Sequence, residues 1–193
     1  MSAKRIYLAG PDVFLRDAFA QADKKRERCA AAGYVGVFPF DTVLDFTNLT
    51  QRDKAMRIYH ADIALMDSCD ICLAQMTPFR GPSMDVGTAY EMGYMRAQGK
   101  LVLGYTNVTG DIGVRTAAAI GGSEKLTQRT TGVWEDPDQL MIEGMGMIDN
   151  LMLDGSVITS GFEIEVVAAP VARRYHDLTG FDRCLAQLKA RGI

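Results

Sequence analysis

The chain has 193 residues, 48% of them hydrophobic and 23% charged. That composition is close to the soluble globular average and argues against disorder, collagen-like repeats or a disulfide scaffold. The length favours one domain, spanning 1–193, with a well-buried core. A formal charge of −3 gives no overall pull toward nucleic acid or an anionic membrane. No apolar run approaches the ~20 residues of a membrane span, and Met1–Ile6 lacks the apolar stretch of a signal peptide. The expectation is a cytoplasmic protein with neither nucleic-acid nor membrane partners.

Arg5–Ala9 is an apolar, β-favouring run ending at Gly10-Pro11, which predicts a first strand and a tight loop. About Asp12 to Ala32 reads as a helix closed by Gly33, and Val35–Phe40 as a second strand. Asp41–Thr50 is polar and loop-like, and Gln51–Met66 has the pattern of a helix. Asp70–Ala74 is a third strand. A Pro- and Gly-rich loop over Thr77–Ser83 then leads into a helix from about Asp85 to Gln98. Within that helix Val86, Ala89, Gly93 and Ala97 form a narrow face suited to close packing on a sheet.

Lys100–Tyr105 is a fourth strand. Asn107 to about Glu135 is rich in Gly, Thr and Ala with weak periodicity, which predicts a long excursion or lid, most expanded over 108–139. The Met-rich stretch Leu140–Leu153 reads as helical, Ser156–Thr159 as a fifth strand, and Phe162–Ala190 as a mostly helical extension broken near Pro170. Short apolar strands alternating with helices predict an α/β fold: a parallel, doubly wound sheet with helices on both faces.

The four cysteines include Cys69 and Cys72 at C-x-x-C spacing, but no second pair accompanies them, so plain core packing is expected. His60 and His176 are far apart and form no ligand pattern, so no metal site is expected. The loops after strands one, three and four fall on the edge where open parallel sheets bind ligands. There is no G-x-G-x-x-G or P-loop. Gly10 serves either a turn or a ligand. Asp85 is placed to cap a helix or to face a ligand at its positive end.

Glu91 lies well inside its helix, one turn after Gly87 and Thr88. Small residues there leave room over its carboxylate. From spacing alone an ion-paired or solvent-facing Glu91 remains open, as do plain polar roles for Asp62 and Asp70. Arg80 either binds an anion or supports its loop, with loop support the stronger reading.

Taken together, Ile6-Tyr7-Leu8-Ala9-Gly10-Pro11, Asp62 followed by Asp70, and Asp85-x-Gly87-Thr88-x-x-Glu91-x-Gly93 resemble the nucleoside 2-deoxyribosyltransferase family. Phe79-Arg80-Gly81 looks most like the branch that includes the trypanosomatid enzymes. The resemblance implies a flavodoxin-like or Rossmann-like five-stranded sheet and exchange of the nucleobase of 2-deoxyribonucleosides. Glu91 falls on the family's nucleophile, Tyr7 on the residue that orients it, and Asp62 on the proton donor to the departing base. Asp85 matches a carboxylate that holds sugar hydroxyls, with Gly87 and Arg80 in the same block. Gly10, Pro11 and Phe14 align with the segment lining the base pocket.

Asn150 matches an asparagine that reaches a neighbouring subunit's site, implying a homo-oligomer. The implied partners are a deoxyribonucleoside donor and a free nucleobase acceptor, with no cofactor. The chain departs from shorter members in its 108–139 expansion and its extension over 162–193, which make entry of the Ile193 carboxylate into a neighbour's site unexpected. The alternative is a nucleoside or deoxynucleotide N-glycoside hydrolase on the same scaffold. Against a phosphorylated substrate, Ser83 is the only serine between Gln75 and Gly93.

Overall fold

A computed structural model describes residues 2–193. In chain order its first elements are β1 (Arg5–Ala9), α1 (Ala18–Ala32), β2 (Val35–Val37), α2 (Gln51–Asp67), β3 (Ile71–Gln75), α3 (Val86–Ala97) and β4 (Leu101–Thr106). There follow α4 (Ile112–Ala119), β5 (Thr127–Gln128), β6 (Trp134–Glu135), α5 (Leu151–Thr159), β7 (Glu165–Val166) and α6 (Thr179–Ala190). Five strands form a wholly parallel sheet in the order β2-β1-β3-β4-β7, while β5 and β6 make a separate antiparallel pair. Helices α1 and α6 pack on one face, and α3 and α5 on the other.

Every residue of β3 is buried, as expected for a central parallel strand covered on both faces. Sheet order reverses between β1 and β3. That is the switch point at which a doubly wound sheet opens a crevice beyond its carboxyl ends. Gly10 follows β1 there, and a Cβ built on it would stand 3.0 Å from Gln75 Cβ, so the close approach of the two strand ends requires glycine.

Several elements differ from their sequence expectation. Ser156–Thr159 is the end of α5, not a strand. The Asn150 side chain accepts from the Met152 amide at 3.1 Å and starts a helix that buries Val157. A short apolar run does not by itself distinguish a strand from a buried helical segment. The fifth strand of the sheet is instead β7, paired through Tyr105–Glu165 and Thr106–Val166. Of the helix expected over Leu140–Leu153, only the part from Leu151 forms.

The extension over 162–193 is helical chiefly at α6. Its earlier part supplies β7 and a 3-10 turn at Val171–Arg173. The first helix starts at Ala18, after a 3-10 turn over Pro11–Phe14, and β2 stops at Val37 ahead of the Pro39 turn. In α3 the expected packing face is also wrong. Val86 is 85% exposed, and Thr88, Met92 and Met95 are the buried residues. The long unbranched Met side chains fill the space over the sheet that small residues would leave empty.

The turn Pro11–Phe14 is fixed by a buried ion pair between Lys25 Nζ on α1 and Asp12 Oδ2, both essentially without solvent exposure. Removing one partner strands a charge out of water. Lys25→Met is therefore expected to cost about 3–5 kcal/mol, measured by urea unfolding. Adding Asp12→Asn, which removes the stranded charge, recovers part of that loss.

Candidate active site

The side chains of β1 alternate between the two sheet faces, and Tyr7 points toward α3. There its hydroxyl donates to Glu91 Oε1 at 2.7 Å. Tyr7 is fully buried. Burial, reinforced by the Glu91 charge, raises its phenol far above the ordinary range, so Tyr7 stays a donor at every working pH.

Glu91 is half-buried, and loss of water pushes its carboxyl up to about 8 against the opposing pull of the Tyr7 hydrogen bond. Asp62 and Asp85 add a smaller upward push by like charge. Asp62 is itself raised to about 6 by burial. Its Oδ1 is buried with no hydrogen-bond partner among the described residues.

Asp85 is the N-cap of α3. Its Oδ2 accepts from the Thr88 amide at 2.9 Å and the Thr88 hydroxyl at 3.0 Å. These bonds fix the carboxylate about one and two-thirds turns before Glu91.

The three acids share the wall of one cavity of about 310 Å³ with Gly10, Phe14, Gly87 and Thr88. Val13, Pro39, Phe40 and Ile58 complete it. Those four were not singled out from sequence. Ile58 stands one helical turn before Asp62, and Pro39-Phe40 follows the carboxyl end of β2. Both signals were available in the spacing. The cavity thus pairs apolar walls with three converging carboxyls, the composition of a small-ligand site with chemistry to perform.

Other candidate residues lie at or beyond its rim. Pro11 is buried in the turn that presents Phe14. Phe14 stacks on Phe79 at 5.1 Å between ring centroids, and the Arg80 guanidinium covers both rings, 4.6 Å from Phe79 and 5.3 Å from Phe14. Arg80 therefore braces the rim and is not among the cavity-lining residues. Asn150 is absent from the wall as well. Its amide donates to Glu143 Oε1 at 2.5 Å and its oxygen caps α5. Asp70 accepts from the Arg5 amide at 2.8 Å, at the opposite edge of the sheet. The Ile193 carbonyl accepts from the Tyr34 hydroxyl at 2.8 Å, also away from the cavity. All four cysteines are free and buried.

The family profile described as nucleoside 2-deoxyribosyltransferase matches residues 6–152. This chain belongs to the nucleoside 2-deoxyribosyltransferase family. Within the wider kinship, an uncharacterised protein of Schizosaccharomyces pombe is 36% identical over 165 residues, covering 81% of this chain and 78% of that protein. Among solved structures, a 2-desoxiribosyltransferase from Leishmania mexicana superposes with a TM-score of 0.67 at 25% identity, covering 98% of this chain and 99% of that one. A conserved protein from Enterococcus faecalis V583 shares the fold, with a TM-score of 0.54, 18% identity and coverage of 98% and 99%. The doubly wound architecture is thus that of the deoxyribosyltransferases, and family and structural neighbours alike make this a pentosyltransferase-type protein. Among the described residues no helix is long and apolar enough to cross a membrane.

The raised Glu91 carboxyl carries a stability signature. Its folded value, about 8, exceeds the ordinary 4.5, so the native state binds this proton more tightly than the unfolded chain. Native stability from this group is complete below the ordinary value and lost as pH rises through about 8. Glu91→Gln removes the titration but retains an acceptor for Tyr7. The melting temperature of Glu91→Gln should gain on the wild type progressively from pH 5 to about 8 and then level off, at up to about 1.4 kcal/mol per pH unit, with roughly 2–4 °C for each kcal/mol in a chain of this size. A difference that does not vary with pH would refute the buried-carboxyl assignment.

Proposed function

We propose that the protein exchanges the nucleobase of 2-deoxyribonucleosides by a retaining double displacement through a covalent deoxyribosyl-Glu91. The observation that carries this reading is the Glu91 carboxyl held by the Tyr7 hydroxyl, with Asp62 and Asp85 on the wall of the same cavity. In the first step a Glu91 oxygen attacks the anomeric carbon as its bond to the base nitrogen breaks, and Asp62 gives that nitrogen a proton. In the second, a nitrogen of the acceptor base attacks the same carbon, Glu91 departs as carboxylate, and Asp62 takes back the proton. Two inversions give net retention. Asp85 Oδ2 carries the capping bonds, which leaves Oδ1 for sugar hydroxyls. Phe14, on its stack with Phe79, offers an apolar ring face to the base.

The two acids act as a pair. One proton must be shared between them, with the charge on Glu91 and the proton on Asp62. The Tyr7 hydrogen bond favours charge on Glu91, and so does the positive charge that develops on the sugar. Between about 6 and about 8 the free pair carries one proton, on Glu91 as the higher of the two, so bound substrate must draw the charge onto Glu91 and leave the proton with Asp62 before attack.

The same reading takes the protein to need no cofactor and to work in the cytoplasm, where buried free thiols are kept reduced. It also takes the protein to act as a homo-oligomer. Asn150 then exchanges its Glu143 partner for a hydroxyl in a neighbouring copy's site, and Leu151, Met152 and Ile158 beside it supply exposed apolar contact area. Ser83 is engaged by the fully buried Asp149, which weighs against its serving a phosphorylated substrate.

Incubation with thymidine and adenine tests the reading. Deoxyadenosine should form, and Glu91→Ala should abolish it. Thymine released equally well without adenine would identify a hydrolase instead. The pH profile of kcat/KM should be bell-shaped, with limbs near 6 and 8. Asp62→Asn should lower kcat by about 10²–10⁴-fold and erase the alkaline limb. In that variant Glu91 also loses a like-charge neighbour, so the remaining acid limb should end below the wild type's alkaline one.

A further inference from the structure

The excursion between β4 and α5 returns to the loop before α3 through one basic side chain. Arg115 lies on α4, whose first turn is seated against the following chain. The Ile112 amide donates to the Met147 carbonyl at 3.0 Å, and a Cβ on Gly113 would fall 2.6 Å from the Glu143 carbonyl oxygen. From that seat the Arg115 guanidinium donates in three directions: Nε to the Pro82 carbonyl at 2.7 Å, Nη1 to the Gly110 carbonyl at 2.6 Å, and Nη2 to the Ile148 carbonyl. Nη2 also lies 3.3 Å from Asp149 Oδ2.

Asp149 is fully buried. Its Oδ1 accepts from the Ser83 hydroxyl and from the Asn150 amide, and its Oδ2 accepts from the Met84 amide at 3.0 Å. Asp154 in turn holds the Ile148 and Asp149 amides, at 2.6 and 2.9 Å. Arg115 and Asp149 thus bind Pro82, Ser83 and Met84 in succession, and the next residue is Asp85.

We propose that Arg115 and Asp149 are positioning residues that set the sugar-facing carboxylate of Asp85 by clamping the three residues before it. Two features support this over a role in general stability. The clamp takes one polar group from each residue in turn, the Pro82 carbonyl, the Ser83 hydroxyl and the Met84 amide, and these residues belong to no strand. It is also built from the 108–149 segment, which lies outside the central sheet. A buried charged pair in which every oxygen is matched to a donor has the geometry to hold a loop within tenths of an ångström. The inference rests on the assignment of Asp85 to the donor sugar.

The experiment compares wild type with Arg115→Met, Asp149→Asn, their double variant, Arg115→Lys and the exposed control Val114→Ala, using thymidine as donor and adenine as acceptor. The expected result is a thymidine KM raised about tenfold in each Met or Asn variant, equivalent to about 1.4 kcal/mol. The kcat should stay within about twofold and the adenine KM should be unchanged. Arg115→Lys keeps the charge but reaches fewer carbonyls and should fall between. The double variant should be no worse than the poorer single one, because the pair acts as a unit. The control should match wild type.

A lower kcat at constant thymidine KM, as from a smaller folded fraction, or additive losses in the double variant would overturn the proposal. Amide exchange at Met84 reads the clamp without catalysis and should accelerate at least tenfold in Arg115→Met and in the milder Arg115→Lys. A wild type that transfers no deoxyribose, with Met84 exchange accelerated in the variants, would support the clamp and refute the deoxyribosyl reading. Transfer with Met84 exchange unchanged would refute the clamp alone.

Discussion

A carboxyl held away from water is stable only if something meets it, and here the Tyr7 hydroxyl does so across the seam between sheet and helix. That contact fixes three things at once. It orients α3 over β1 and β3, it presents one Glu91 oxygen to the cavity and occupies the other, and it offsets part of the desolvation that drives the carboxyl up to about 8. Around it the remaining acids are arranged by ordinary structural devices. Asp85 caps the helix, and Asp62 sits one turn after Ile58 on α2. The cavity is therefore a consequence of how two helices meet a reversing sheet, with carboxyls at the three places where backbone geometry aims them inward.

The rim of the cavity depends on polar groups buried on the far side of the wall. Asp12 and Lys25 secure the turn that carries Val13 and Phe14. The segment before α6 secures the facing loop. Tyr175 donates to the Pro78 carbonyl at 2.7 Å, and the Gln75 amide donates to the Tyr175 carbonyl at 3.3 Å. Asn107 reaches the Arg174 and Asp177 carbonyls at 2.8 and 2.9 Å. Phe79, next to Pro78, meets both Tyr175 and Phe14. Each chain addition beyond the central sheet thus ends against the loop between β3 and α3 that leads to the cavity. The excursion reaches that loop through Arg115 and the extension through Tyr175, which gives a physical reason for the chain's extra length.

The strands and the helices between them were legible because hydrophobic periodicity and glycine punctuation are local. Gly33 closes α1 in a left-handed conformation, with φ of 91°, as its sequence position implies. The acids of the cavity were legible through a motif resemblance that spacing alone did not supply. The fifth strand was not legible. With two paired residues, β7 exists because β4 leaves an open edge and α6 packs beside it, and its own half-buried side chains carry no alternation to read. Arg80 illustrates the converse. Its sequence context allowed an anion ligand or a loop brace, and what the fold adds is a pair of aromatic rings, Phe14 and Phe79, beneath its guanidinium.

The sequence by itself determined an α/β chain, its first four strands, the helix bearing Glu91 and the edge of the sheet where ligands bind. Periodicity, caps and strand order along the chain are local properties that survive without a third dimension. Only the tertiary structure decided which face of α3 is buried, where the sheet ends, and that Asp62, Asp85 and Glu91 line one cavity with Pro39, Phe40 and Ile58. It also decided that Arg115 and Asp149 meet the loop before Asp85. These are long-range juxtapositions, set by the packing of elements whose separation in the chain leaves no periodic trace.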